Sequence, residues 1–97
     1  MKCVIIGVDV VESFVNKKTG KEDSAVVLHM IGKSSRVFGY KTRSPFVAQS
    51  QAIFKVLRPF AADPSELENY LCEAEFNGNF LNELELIEKL DHDVVNW

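Results

Sequence analysis

The 97-residue sequence has no apolar run long enough to cross a membrane. A membrane helix needs about 20 consecutive apolar residues. The apolar start of the chain is interrupted by Asp9 and Glu12, and the next apolar stretch contains His29. A signal peptide needs a longer apolar segment followed by a small-residue cleavage site. We therefore expect a cytoplasmic protein without a targeting segment or a membrane partner.

Cysteine and histidine are also scarce, with two of each in the chain. Cys3, Cys72, His29 and His92 do not follow the spacing of known metal-ligand sets. Two cysteines are too few for a disulfide framework, and two buried, reduced thiols suit a cytosolic protein. We expect no metal site and no cofactor.

Recognisable catalytic motifs are missing as well. Gly32-Lys33-Ser34 resembles the end of a phosphate-binding loop, but that motif needs a glycine at position 27, where valine stands. Serines such as Ser13 have no base at an informative spacing. We expect a protein with no catalytic residues and no small-molecule substrate, and therefore not an enzyme.

Charge is distributed unevenly along the chain. The formal net charge is −3, but residues 1–60 contain ten Lys/Arg and four Asp/Glu, a net of +6. Residues 61–97 contain one lysine and ten acids, a net of −9. This asymmetry indicates a basic working surface followed by acidic segments, unless folding interleaves the two sets of charges. We assign residues 1–90 to one domain and residues 91–97 to an acidic tail.

Period-two alternation predicts three strands in the first half of the chain, at Lys2–Val15, Ser24–Ile31 and Arg36–Lys41. In the first strand, one face carries the following even-numbered apolar residues: Val4, Ile6, Val8, Val10 and Phe14. Gly7 predicts a bulge or bend. The polar stretch from Asn16 to Asp23 is a turn in which Gly20 takes a positive φ.

The periodicity changes at Ser44-Pro45, which is typical of a helix start. The apolar spacing after it predicts a helix from Pro45 to Leu57, which ends before Pro59. A second capping signal, Asp63-Pro64-Ser65-Glu66, predicts one further helical turn.

In the last third of the domain, period-two alternation predicts a hairpin between Tyr70 and Ile87. We predict a three-residue loop at 77–79, because that length pairs Phe76 with Phe80 and Cys72 with Leu84 and keeps acids off the apolar face. The order strand, strand, strand, helix, strand, strand predicts a mainly β fold: a five-stranded OB-type Greek-key barrel with one helix between strands 3 and 4. A half-barrel packed on one helix is the alternative architecture.

Basic residues cluster in two places, and in the second they interleave with aromatic residues, a pattern typical of single-strand binding. The first is the turn after strand 1, and the second is strand 3 with the residues after it. The predicted binding residues are Lys17, Lys18, Lys21, Arg36, Phe38, Tyr40, Lys41 and Arg43. Two alternatives stay open. The lysine turn is simply solvated, or Phe38 and Tyr40 face the core.

The run Lys17-Lys18-Thr19-Gly20-Lys21 between the first two strands resembles the DNA-binding hairpin of the filamentous-phage single-stranded DNA-binding proteins. The closing hairpin from Tyr70 to Ile87 is similar in its alternation. The chain departs from that family at Glu22-Asp23, where the family has a proline-aromatic pair. The resemblance implies an OB-type fold, phosphate contacts from Lys17, Lys18 and Lys21, and cooperative coating of single strands by a homodimer in phage or plasmid replication, in the host cytoplasm if phage-encoded.

We therefore expect non-catalytic binding of single-stranded DNA, with RNA as the alternative ligand. The competing hypothesis is a small protein-interaction module, an adaptor or inhibitor, that uses an acidic face of the closing hairpin. The acidic tail that ends in Trp97 is a frayed end, a competitor for the basic groove or a docking segment for a partner.

Overall fold

The computed structural model describes residues 2–32 and 41–91. Within these residues the chain is mainly β, and six antiparallel strands form one sheet. The strands are β1 (Lys2–Val15), β2 (Glu22–Gly32), β3 (Lys41–Arg43), β4 (Phe46–Ala48), β5 (Tyr70–Asn77) and β6 (Phe80–Lys89). The segments Ala52–Val56, Arg58–Phe60 and Pro64–Leu67 form short 3-10 helical turns. This confirms the β-rich class predicted from the alternation.

The strand order in the sheet is β3-β2-β1-β5-β6, and β4 also pairs with β2. β3 pairs with the Met30–Gly32 end of β2, and β4 pairs with Ala25–Val27. The two short strands therefore lie end to end along one edge of β2. In the described part of the chain, this edge and β6 are not paired with each other. The sheet has six strands and is open, which corrects the predicted closed barrel of five strands.

The first hairpin follows the predicted strands closely, but one bulge changes which side chains are buried. Ile5 pairs with Met30 and Gly7 pairs with His29, so Ile6 is left over between them. A bulge of one residue reverses the alternation that follows it. Ile5 is consequently buried and Ile6 is 42% exposed. The prediction of one continuous even-numbered face in β1 was wrong for this reason, because the bulge interrupts it at Ile6.

The predicted helix from Pro45 to Leu57 is also wrong. Phe46–Ala48 is a strand in which Phe46 is exposed and Val47 and Ala48 are buried, and it pairs with the edge of β2. The Pro45 carbonyl accepts a hydrogen bond from Leu28 N at 3.1 Å, and Pro45 itself has no N–H to leave unpaired. The apolar residues after β4 reach the core from 3-10 turns, in which side chains three positions apart share a face.

The closing hairpin is present, but its predicted register and loop are wrong. Asn77 pairs with Phe80 across a two-residue turn, and Gly78 has φ +64°. Phe76 pairs with Leu81, and its neighbour Glu75 pairs with Glu83. Asn82 therefore has no partner on β5 and forms a bulge. The bulge brings both Leu81 and Leu84 into the core. A two-residue loop therefore does not place acids on the apolar face. The bulge shifts the residues after it by one position, which returns the apolar side chains of β6 to the buried face.

The core lies on one face of the sheet, and the 3-10 turns pack against it through Phe54, Leu57 and Leu67. The turn at 64–67 starts at Asp63, whose carboxylate accepts a hydrogen bond from Ser65 N, and it buries Leu67. Cys3 and Cys72 are fully buried and lie opposite each other in the β1–β5 pairing. Burial raises the pKa of Cys72 to about 12, so this thiol is protonated at neutral pH.

Candidate nucleic-acid interface

The β1–β2 turn presents three lysines to solvent on a backbone that is fixed by its own hydrogen bonds. Asn16 N donates to Lys21 O at 2.9 Å, and Gly20 N donates to Asn16 O at 2.7 Å. Gly20 has φ +71°, which other residues adopt only with strain. Lys17, Lys18 and Lys21 are all exposed around this closed turn. Their charges are therefore available to a ligand without unfolding any element.

A polar network joins this turn to the segment that follows β4. Ser50 Oγ donates to Asp23 Oδ2 at 2.5 Å, and Asn16 Nδ2 donates to the same oxygen at 3.2 Å. Lys18 N donates to Asn16 Oδ1 at 2.9 Å. The Ser50 hydrogen bond is the main cause of a lowered pKa at Asp23. The carboxylate therefore stays ionised further into the acid range and keeps the turn beside Ser50.

A cleft of about 460 Å³, which we call the hairpin groove, lies between the turn and β4. Two aromatic rings meet in it: Phe14 and Phe46 have centroids 5.1 Å apart and are nearly perpendicular, at 80°. Phe46 is 46% exposed, so much of its surface faces the cleft and solvent. The groove is lined by Phe14, Asn16, Lys17, Lys18, Thr19, Phe46, Ala48, Ser50 and Gln51.

The chemistry of the hairpin groove combines an apolar aromatic floor with cationic and neutral polar walls. Lys17 and Lys18 supply positive charge, and within the described residues no carboxylate lines the cleft. A planar aromatic ligand can stack on Phe46, and an attached anion can contact the lysines. The amide and hydroxyl groups of Asn16, Thr19 and Gln51 offer hydrogen-bonding partners at the rim.

The structure brings together some of the predicted site residues and separates others. Lys17 and Lys18 line the hairpin groove, and Lys21 is exposed on the same turn. Lys41 and Arg43 lie together on β3 in a second cleft, described below. The remaining three predicted residues, Arg36, Phe38 and Tyr40, lie outside the described residues.

Phe14 and Phe46 were not predicted as site residues. The alternation of β1 placed Phe14 with the core side chains, but β1 has a second register shift between Val11 and Phe14. After that shift Phe14 lies opposite Asp23 and packs against Phe46. Phe46 was assigned to the incorrect helix. The available signal was the position of Phe14, only three residues before the lysine turn.

His29 of β2 connects β1 with the link between β3 and β4, on the face of the sheet that also carries Phe46. Its Nε2 is 2.7 Å from Asp9 Oδ2 on β1, and its Nδ1 is 3.0 Å from Ser44 Oγ between β3 and β4. The residue is 38% exposed, as expected of a half-buried strand residue. These contacts fix the junction of β3 and β4. Among the described residues, no group of three or more His, Cys, Asp or Glu side chains could hold a metal ion.

Comparisons with protein-family models, with curated proteins and with solved structures find no match to this chain. Of the helical segments in residues 2–32 and 41–91, none has the length and hydropathy of a membrane-crossing helix.

Proposed function

We propose that this protein binds single-stranded DNA without catalysing a reaction, and that the hairpin groove is its primary site. The observation that carries the proposal is the Phe14–Phe46 ring pair beside Lys17 and Lys18. Base stacking on aromatic side chains contributes about 1–3 kcal/mol per base. Lysines next to the stacked base neutralise the phosphates that flank it. RNA offers the same stacking and phosphate chemistry and is the alternative ligand.

The groove favours an unpaired strand over a duplex. A base can stack on Phe46 only when its own face is free, and in a duplex that face is covered by the neighbouring base pairs. The chain has a formal net charge of −3, so duplex binding through overall charge is disfavoured. Positive charge is available locally at the lysine turn, beside the aromatic rings.

We also propose that the open sheet is a variant of the OB-type architecture. β3 and β4 pair with the same edge of β2 and are separated only by Ser44 and Pro45, so together they correspond to one interrupted strand. OB-folds bind oligonucleotides on the face of strands 2 and 3 and on neighbouring loops, including the loop between strands 1 and 2. The hairpin groove occupies that position. From the phage resemblance we add homodimerisation and cooperative coating of the strand to the proposal.

A protein-interaction module is the second candidate function, and one observation favours it. Glu73 pairs with Glu85 and Glu75 pairs with Glu83 across β5 and β6. Opposed like charges destabilise a sheet, so a basic partner docked on this face would relieve their repulsion. This candidate predicts no affinity for oligonucleotides and no effect of changes in the hairpin groove.

The test uses Phe46→Ala with Phe80→Ala as its matched control. The two rings are similarly exposed, at 46% and 51%, but only Phe46 lines the hairpin groove. We expect Phe46→Ala to lose about 1–3 kcal/mol of binding to an oligodeoxythymidine, measured by fluorescence anisotropy, while Phe80→Ala binds as the unchanged protein does. Equal losses in both variants would contradict the proposed site. Absence of binding in the unchanged protein would favour the interaction module.

A further inference from the structure

A second cleft lies at the other end of the β3–β4 edge, where β3 faces the closing hairpin. It has a volume of about 380 Å³ and is called the β3 groove here. Its lining combines two cations, an aromatic ring, an amide and one carboxylate: Lys41, Arg43, Ala74, Glu75, Phe76 and Asn82. This composition matches the hairpin groove in its aromatic and cationic parts, although it is built from different elements.

Arg43 carries a donor that residues 2–32 and 41–91 leave without an acceptor. Its Nη1 donates to the Thr42 carbonyl at 3.2 Å. Its Nε is buried and has no hydrogen-bond partner within the described part of the chain. A buried N–H without a partner is unfavourable, so an acceptor brought by a ligand would improve its environment. The planar guanidinium matches phosphate oxygens well, and Lys41 lies beside it.

The two grooves border the same edge of the sheet and open on opposite faces, because Arg43 pairs with the core residue Met30, whereas Phe46 pairs with Val27, whose side chain points the other way. β3 and β4 follow each other on β2, and five residues separate the middle of β3 from the middle of β4. At about 3.3 Å per residue, the middles of the two strands are roughly 17 Å apart. A single strand that passes over this edge can therefore contact both grooves, provided that it is longer than about four nucleotides, the lower end of the range for OB-fold sites.

We propose that Lys41 and Arg43 form a second subsite, in which each cation contacts a backbone phosphate of the same single strand, with Phe76 as a stacking surface beside it. The inference rests on the proposed function and deepens it, because it assigns the path of the strand along the β3–β4 edge. The hairpin groove holds one end of this path and the β3 groove holds the other.

Glu75 sets the boundary of this path. It lines the β3 groove and pairs with Glu83 across the hairpin, next to Glu73 and Glu85. These carboxylates repel phosphate from the outer face of the hairpin and leave the side of Lys41 and Arg43 as the favourable one. Glu75 also repels phosphate within the β3 groove itself. Neutralising its carboxylate is therefore expected to increase the affinity for the strand.

The experiment titrates a trinucleotide and a decanucleotide of deoxythymidine, each over a series of salt concentrations. The trinucleotide is too short to contact both grooves. The variant combines Lys41→Gln with Arg43→Gln, and Lys55→Gln is the control because Lys55 is exposed and lines neither groove. Glu75→Gln is measured in the same way.

For the double variant we expect about a tenfold loss of decanucleotide affinity and a salt slope smaller by about 1.4, because each phosphate contact on a single strand contributes about 0.7. Trinucleotide affinity should be unchanged, and Glu75→Gln should bind the decanucleotide more tightly than the unchanged protein. The Glu75 variant keeps the test valid if the double variant does not fold.

Two results would overturn this inference. If the unchanged protein binds the decanucleotide but neither the double variant nor Glu75→Gln alters that binding, the second subsite is wrong and the proposed function stands. If the unchanged protein binds neither oligonucleotide at low salt, the proposed function fails and this inference fails with it.

Discussion

Replacement of Lys17, Lys18 and Lys21 by glutamate is expected to reduce single-strand affinity at least a hundredfold at low salt. Loss of three phosphate contacts should lower the salt slope by about 2, since each contributes about 0.7 on single strands. The introduced carboxylates also repel the phosphates. Stability should change little, because all three side chains are exposed and the turn is held by backbone hydrogen bonds. Anisotropy titrations and thermal melting measure the two quantities.

The control for this prediction separates a local effect from a change in overall charge. Lys55 and Arg58 are exposed cations of the 3-10 turns and line neither groove. Lys55→Glu combined with Arg58→Glu changes the net charge as much as Lys17→Glu combined with Lys18→Glu. If both double variants lose the same affinity, the lysine turn has no special role, and the hairpin groove is not the site.

Leu28→Ala is expected to have the largest effect on stability, a loss of about 2–5 kcal/mol. Leu28 is fully buried in the middle of β2, opposite Val8 of β1. Its backbone N–H also bonds to Pro45 beside β4. Removal of its side chain leaves a cavity between three strands that the sheet cannot easily close. Because small domains have a total stability of about 5–15 kcal/mol, this single change threatens the fold. Urea denaturation measures the loss.

Val10→Ala is the matched variant for Leu28→Ala. Val10 belongs to the same hairpin, but it is 54% exposed. We expect its substitution to change the free energy of unfolding by about 0.5 kcal/mol or less. A Leu28→Ala variant as stable as Val10→Ala would show that β2 does not carry the core.

The first hairpin could be predicted because its signals are local. Val26, Leu28 and Met30 alternate with more exposed residues, and Gly20 marks the turn. Burial of one face of the sheet then fixes the register. Bulges were the part that alternation alone could not place. The sequence contains Gly7 as a hint of one bulge, but neither Ile6 nor Asn82 is a residue that demands a bulge.

The helix prediction failed because a tertiary interaction overrode a local signal. Ser44-Pro45 does resemble a helix start, yet β2 offers unpaired backbone groups at Ala25–Val27, and Phe46–Ala48 pairs with them. The following apolar residues, Phe54, Leu57 and Phe60, are spaced by three. That spacing is typical of 3-10 turns, and Pro59 and Pro64 limit the length of any helix there.

The candidate site was predictable in its charges and not in its rings. Exposed lysines in a turn remain exposed in almost any register, so Lys17, Lys18 and Lys21 could be identified from composition and turn chemistry. The contact between Phe14 and Phe46 depends on a bulge in β1 and on the presence of β4. Both are consequences of the folded sheet, and short-range patterns do not encode them.

The central claim is tested most directly by titration of the unchanged protein with one oligonucleotide, single-stranded and as a duplex, over a range of salt concentrations. Three to five phosphate contacts predict that log K for the single strand falls with log salt with a slope of about −2 to −3.5. The single strand should bind far more tightly than the duplex, since only unpaired bases can stack in the groove. Equal affinity for the two forms, or no binding of the single strand at low salt, would contradict the account.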